Sequence, residues 1–116
     1  MAVLTTARSR RQPARVPEEP LRSVVAYFDP VRVILFGSRA RGEAGPDSDY
    51  DLLVVLDDDA PAEQCTLRAG FEAAAGFPLA ADVVPVRARR FAERARIPGT
   101  LSHTASTEGV VVYERG

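Results

Sequence analysis

Apolar residues fall into short runs separated by turn formers, and the runs alternate between two periods. Glu18 to Tyr27 carries Leu21, Val24, Val25 and Phe28 along one helical face, with acids at the start where they complement the helix dipole. Asp29-Pro30 ends this helix, because the residue before proline avoids the helical region. Val31 to Phe36 is a β-rich apolar run and predicts a buried strand. Gly37-Ser38 stops it, Arg39 to Gly42 forms a helical turn, and Gly42 to Ser48 is a loop of Gly, Pro, Asp and Ser. Asp49 to Leu56 predicts a second strand, acidic at its start and apolar after it. Asp57 to Pro61 then turns into a helix over Ala62 to Ala75, with Asp58 or Asp59 as N-cap, Pro61 near the first position and Gly76 closing it. Leu79 to Val86 reads as a third strand, Ala88 to Arg96 as a basic helix and Thr100 to Thr107 as a short helix. Val110 to Tyr113 reads as a last strand.

That order predicts an α+β fold, α/β-like in its layering, with a small mixed β-sheet flanked by helices. Residues 1–17 hold arginines, Ser, Thr and two prolines without periodicity and are expected as a flexible tail before one domain over 18–116. No repeat, P-loop or GxGxxG occurs.

Composition narrows the chemistry. Of 116 residues, 46% are hydrophobic and 27% charged, the balance of a globular domain. One cysteine, Cys65, excludes a disulfide framework or a Cys-based zinc site within one chain. One histidine, His103, excludes multi-His metal sites, and a Ser-His-Asp triad unless His103 is its base. All 15 basic residues are arginine, so no lysine nucleophile or Schiff base is available. Metal chemistry must then use oxygen ligands, which suits Mg²⁺ or Mn²⁺. A net charge of −1 argues against direct nucleic-acid binding. No apolar run is long enough to span a membrane, and no apolar segment follows the N-terminal arginines as a secretory signal requires; a cytoplasmic location is expected.

The informative stretch runs from Gly37-Ser38 to Asp49 and Asp51. The two acids stand two apart in a predicted strand and so share a face, with Tyr50 and Leu52 turned to the other. Neighbouring carboxylates repel, and each loses solvation when covered; a hard divalent cation relieves both costs. Asp82 stands alone in an apolar strand, where an unpaired buried acid is costly. If its strand neighbours that of Asp49 and Asp51 it completes a three-carboxylate set, which can hold two metal ions for phosphoryl or nucleotidyl transfer. Otherwise it is a hydrogen-bonded structural acid. Gly37 permits close backbone approach to a phosphate, Ser38 adds a hydroxyl and amides at a helical start, and Arg39 and Arg41 supply guanidinium groups. Ser38 also suits a turn cap, and the arginines suit a plain surface. The Asp57-Asp58-Asp59 run reads as a solvated loop.

Gly37-Ser38, ten residues, Asp49, one residue and Asp51 resemble the GSx10DxD signature of minimal nucleotidyltransferases of the DNA polymerase β superfamily. Within it the passage Leu35 to Leu53 is most similar to the MNT antitoxins of HEPN/MNT pairs. The resemblance extends over about residues 18–114, including the closing segment Glu108 to Glu114. It implies a palm-like nucleotidyltransferase fold and a triphosphate on the Gly37-Ser38 turn. It also implies two Mg²⁺ ions on Asp49 and Asp51, and Asp82 as third ligand and base or positioner. AMP would pass from ATP to a hydroxyl, a tyrosine of a HEPN ribonuclease toxin in the paired systems. Two alternatives stay open: an antitoxin that only masks its partner, and an enzyme with a small acceptor. Enzymes of the second kind carry a second domain for the acceptor, so a partner chain or a second copy is expected here.

Overall fold

The structure is a computed structural model, and it describes residues 16–75, 77 and 80–116. Four strands form one sheet: β1 (Arg32–Phe36), β2 (Tyr50–Leu56), β3 (Ala81–Arg87) and β4 (Val110–Glu114), in the order β3-β2-β1-β4. β1 pairs antiparallel with β2 and β4, and β2 pairs parallel with β3, so the sheet is mixed as expected. Among the described residues five α-helices accompany it: α1 (Glu18–Phe28), α2 (Ser38–Arg41), α3 (Leu67–Ala74), α4 (Ala88–Arg94) and α5 (Leu101–Glu108). A parallel pair needs a crossover connection, and α3 supplies it between β2 and β3.

Alternation along the strands divides the core into two layers. Val33, Leu35, Leu52, Val54, Leu56, Val83 and Val112 face α1 and α3. Ile34, Phe36, Leu53 and Val55 face the other way, against Ala105 of α5 and the partly buried Phe91 of α4. β2 is therefore covered on both faces, which accounts for its unbroken apolar run after Asp51. Each such side chain contributes about 1.5–3 kcal/mol on burial, so this strand anchors the domain. β3 lies at the sheet edge, where Pro85 is tolerated because its missing N–H need not face a second neighbour.

Most predicted elements form within a residue or two of their expected ends. α1 stops at Asp29, which adopts a left-handed conformation (φ 48°) and donates its N–H to the Val25 carbonyl. Val16, placed in the tail by its sequence, is buried in the α1–α3 layer; residues 1–15 lie outside the described residues, as do Gly76 and Leu79. The expected single helix over 62–75 is instead a 3₁₀ turn, Ala62–Gln64, and a separate α3. The break follows from a second capping signal. Thr66 takes an extended conformation, and its hydroxyl accepts from the Ala69 N–H, starting the α-helix at Leu67 rather than at Ala62. Asp58 caps a different element, accepting from the Arg89 N–H at the start of α4 at 2.8 Å.

α3 buries Ala69, Gly70 and Ala73 rather than its larger side chains. A Cβ at Gly70 would come within 1.8 Å of the Val83 carbonyl oxygen, so the missing side chain is what lets α3 lie on β3. We expect Gly70→Ala to lose about 2 kcal/mol despite its better helix propensity, because overpacking outweighs the gain. Thermal melting should register a drop of roughly 10 °C, and an unchanged or raised midpoint would show that the helix can move aside.

Candidate active site

Antiparallel pairing brings the end of β1 against the start of β2, with Phe36 opposite Asp51. The next residue, Gly37, has φ 79° and ψ −160°, a conformation that side chains rarely allow. A Cβ there would lie 2.3 Å from Asp51 Oδ2. Glycine is thus required twice, by its torsion and by the carboxylate packed against it. α2 is a single turn that begins at Ser38, and no capping side chain covers its start. Its first N–H groups have no partner within the helix and face outward from the turn's N-terminal end. Ser38 itself is half-buried.

β2 and β3 run parallel with Asp51 in register with Asp82, so both carboxyls leave the same face of the sheet. This is the face of Leu53 and Val55, while Tyr50 and Leu52 enter the opposite layer as their alternation predicts. Asp51 is half-buried and Asp82 is exposed. The expectation that Asp82 is a buried acid is therefore corrected: its strand is the sheet edge, so its carboxylate stays hydrated. Asp49 lies one residue before β2, exposed at the end of the loop. Among the described residues no three acidic, His or Cys side chains stand at the spacing of a metal-ligand group. The fold juxtaposes Asp51 and Asp82, and Asp49 reaches Asp51 through its charge.

Neither arginine of α2 is free. The Arg39 guanidinium donates from Nη2 to the Ser48 carbonyl at 2.8 Å and to the Pro46 carbonyl at 3.3 Å, and from Nε to Ser48 at 3.1 Å. It also lies 4.1 Å over the Tyr50 ring. Arg39 therefore clamps the loop that presents Asp49. Arg41 bonds Glu43 at 2.9 Å and Glu108 at 3.3 Å, tying α2 to the end of α5. These anchoring roles have no local sequence signal, since they depend on how the loop folds back.

Residues 19–107 match the sequence profile described as nucleotidyltransferase domain. The chain belongs to that family. The matched span contains Gly37, Ser38, Asp49, Asp51 and Asp82. Two solved structures share the nucleotidyltransferase fold. A chain of a toxin–antitoxin complex crystallised with AMP-PNP superposes with a TM-score of 0.57 at 18% identity, over 86% of this chain and 75% of the other. A Sulfolobus solfataricus protein assigned as a nucleotidyltransferase superposes at 0.53 and 22% identity, over 84% and 76%. Among curated proteins none matches.

The electrostatics of this acidic cluster concentrate on Asp51. Partial burial, then the charges of Asp82 and Asp49, then a hydrogen bond made by its protonated form to Asp82, raise its pKa above the usual carboxylate range; Arg41 offsets part of this. The native state thus holds this proton more tightly than the unfolded chain. The associated stability is full below the ordinary carboxylate range and is lost as pH rises through the raised value. In the presence of a chelator, Asp51→Asn should therefore melt a few degrees above the wild type at neutral pH. The difference should close as the solution is made acidic. Equal melting at neutral pH would mean that the acidic pair carries no strain.

Proposed function

We propose that this nucleotidyltransferase moves AMP from ATP to a hydroxyl of a protein partner, in a reaction dependent on Mg²⁺. We take that partner to be a HEPN-type ribonuclease toxin and the acceptor a tyrosine, so that the chain acts as an antitoxin. The observation that carries this reading is the in-register pair Asp51 and Asp82 beside the Gly37-Ser38 turn. The fold likeness to a chain of a toxin–antitoxin complex crystallised with AMP-PNP supports the choice of nucleotide and partner class.

The residues divide the work by position. Gly37 gives the triphosphate close access to the backbone, and Ser38 with the first amides of α2 donates to its oxygens. Arg39 acts on the nucleotide indirectly, by holding the 43–48 loop in place. Asp51 and Asp82 form the acidic wall, and Asp49 adds its charge from the end of the loop. The paired hard oxygens, with Asp51 already resisting ionisation, fit a divalent cation that Asp49 would help to hold. When bound there, Mg²⁺ neutralises that wall and the charge that develops on the phosphoryl oxygens. The acceptor oxygen attacks the α-phosphorus and the bond to the bridging oxygen of pyrophosphate breaks. The hydroxyl proton passes to Asp82, whose hydrated edge position leaves it accessible as a base.

Incubation with α-labelled ATP, Mg²⁺ and the protein encoded by the adjoining gene tests the reading. Label should move to that protein. Asp49→Asn or Asp51→Asn should cut transfer by about 10³-fold, and Asp82→Asn by about 10²–10⁴-fold. Chelation should stop transfer in the wild type. An unlabelled partner, or full transfer by the Asn variants, would refute the proposal.

A further inference from the structure

A cavity of about 350 Å³ opens beside the two acids, walled by Phe36, Asp51, Asp82, Leu67, Phe71 and Leu101 among others. Three of these side chains are large, apolar and turned to solvent: Phe71 is 79% exposed, Leu67 73% and Leu101 50%. Leu67 and Phe71 stand one turn apart on α3 and so present a single ridge. We propose that this ridge, with Leu101 across the cavity, docks the acceptor, and that the acceptor is an apolar segment of a protein carrying the reactive hydroxyl. The inference rests on the nucleotidyl-transfer reading above and adds where the second substrate sits and what kind of molecule it is.

Strand order decides the location. The Gly37-Ser38 turn follows β1, Asp51 is on β2 and Asp82 is on β3, so the turn and Asp82 flank Asp51 from opposite sides. In-line displacement puts the attacking oxygen opposite the leaving pyrophosphate. With triphosphate on the β1 side, the hydroxyl arrives over β3. That is where the cavity lies, and among the described residues lining it none belongs to the Gly37-Ser38 turn.

Lining chemistry decides the class. The only charged groups among the described lining residues are the carboxylates of Asp51 and Asp82. A nucleic-acid acceptor would bring phosphates to an acidic wall with no arginine to receive them. A small polar acceptor would leave Leu67, Phe71 and Leu101 in water. A protein segment with apolar side chains around its hydroxyl covers all three and takes them out of water.

The same labelled-ATP assay, with the adjoining gene's product as acceptor, tests this. The double variant Leu67→Ser, Phe71→Ser changes two exposed positions, so its melting curve should match the wild type. Its KM for the acceptor should rise about tenfold or more, the loss falling on KM rather than on kcat. Stabilisation by MgATP in a thermal-shift measurement should be unchanged, and Leu67→Met, Phe71→Leu should restore KM. An unaltered KM in the serine variant overturns the docking surface while leaving nucleotidyl transfer standing. Failure of the wild type to label the acceptor overturns the function and the docking surface together.

Discussion

The parallel register between β2 and β3 is the constraint on which this domain depends. It fixes Asp51 beside Asp82 on one face of the sheet, a pairing of like charges that no free chain would choose. At the site itself only the charge of Arg41 offsets part of that cost. The compensation comes from the same strand a residue further on, where Leu52 to Leu56 are buried between two helical layers. A slip of one residue would turn those side chains to the wrong layers, so the core holds the acids together as a by-product of its own alternation. Stability and chemistry share one strand, and the strain at its start is set by the packing along its length.

Much of this was legible beforehand. The element order and the mixed sheet follow from periodicity and turn residues, and the GSx10DxD spacing marks the family that the profile match shows. Other features were hidden, each for a physical reason. The 62–75 segment splits because Thr66 competes with Pro61 as a helix start, and only the folded chain shows which wins. Asp82 looks buried because its neighbours in sequence are apolar, yet edge position is a property of strand order and not of local pattern. Arg39 looks like a phosphate ligand because it follows Gly37-Ser38. Its carbonyl partners, Pro46 and Ser48, are found only once the loop closes.

The commitment of both α2 arginines alters the electrostatic logic of the site. With Arg39 bound to carbonyls and Arg41 shared between Glu43 and Glu108, the acidic wall keeps only a partial offset from Arg41. The bonds of both arginines hold the segment around the acids in place. The start of α2 carries no capping side chain, while the loop bearing Asp49 is held by three hydrogen bonds to two carbonyls and by an aromatic face.

α3 links the core to the cavity beside Asp82. A helix usually buries its largest apolar residues, yet Leu67 and Phe71, spaced one turn apart on α3, are exposed. The close approach of α3 to β3 admits only Ala69, Gly70 and Ala73 between them. The large side chains are therefore displaced to the rim of the cavity beside Asp82. A small-residue face that brings the helix near the edge strand thus also places an apolar ridge next to the acids. Tight packing on one side of α3 and an exposed apolar ridge on the other are two consequences of the same choice of residues.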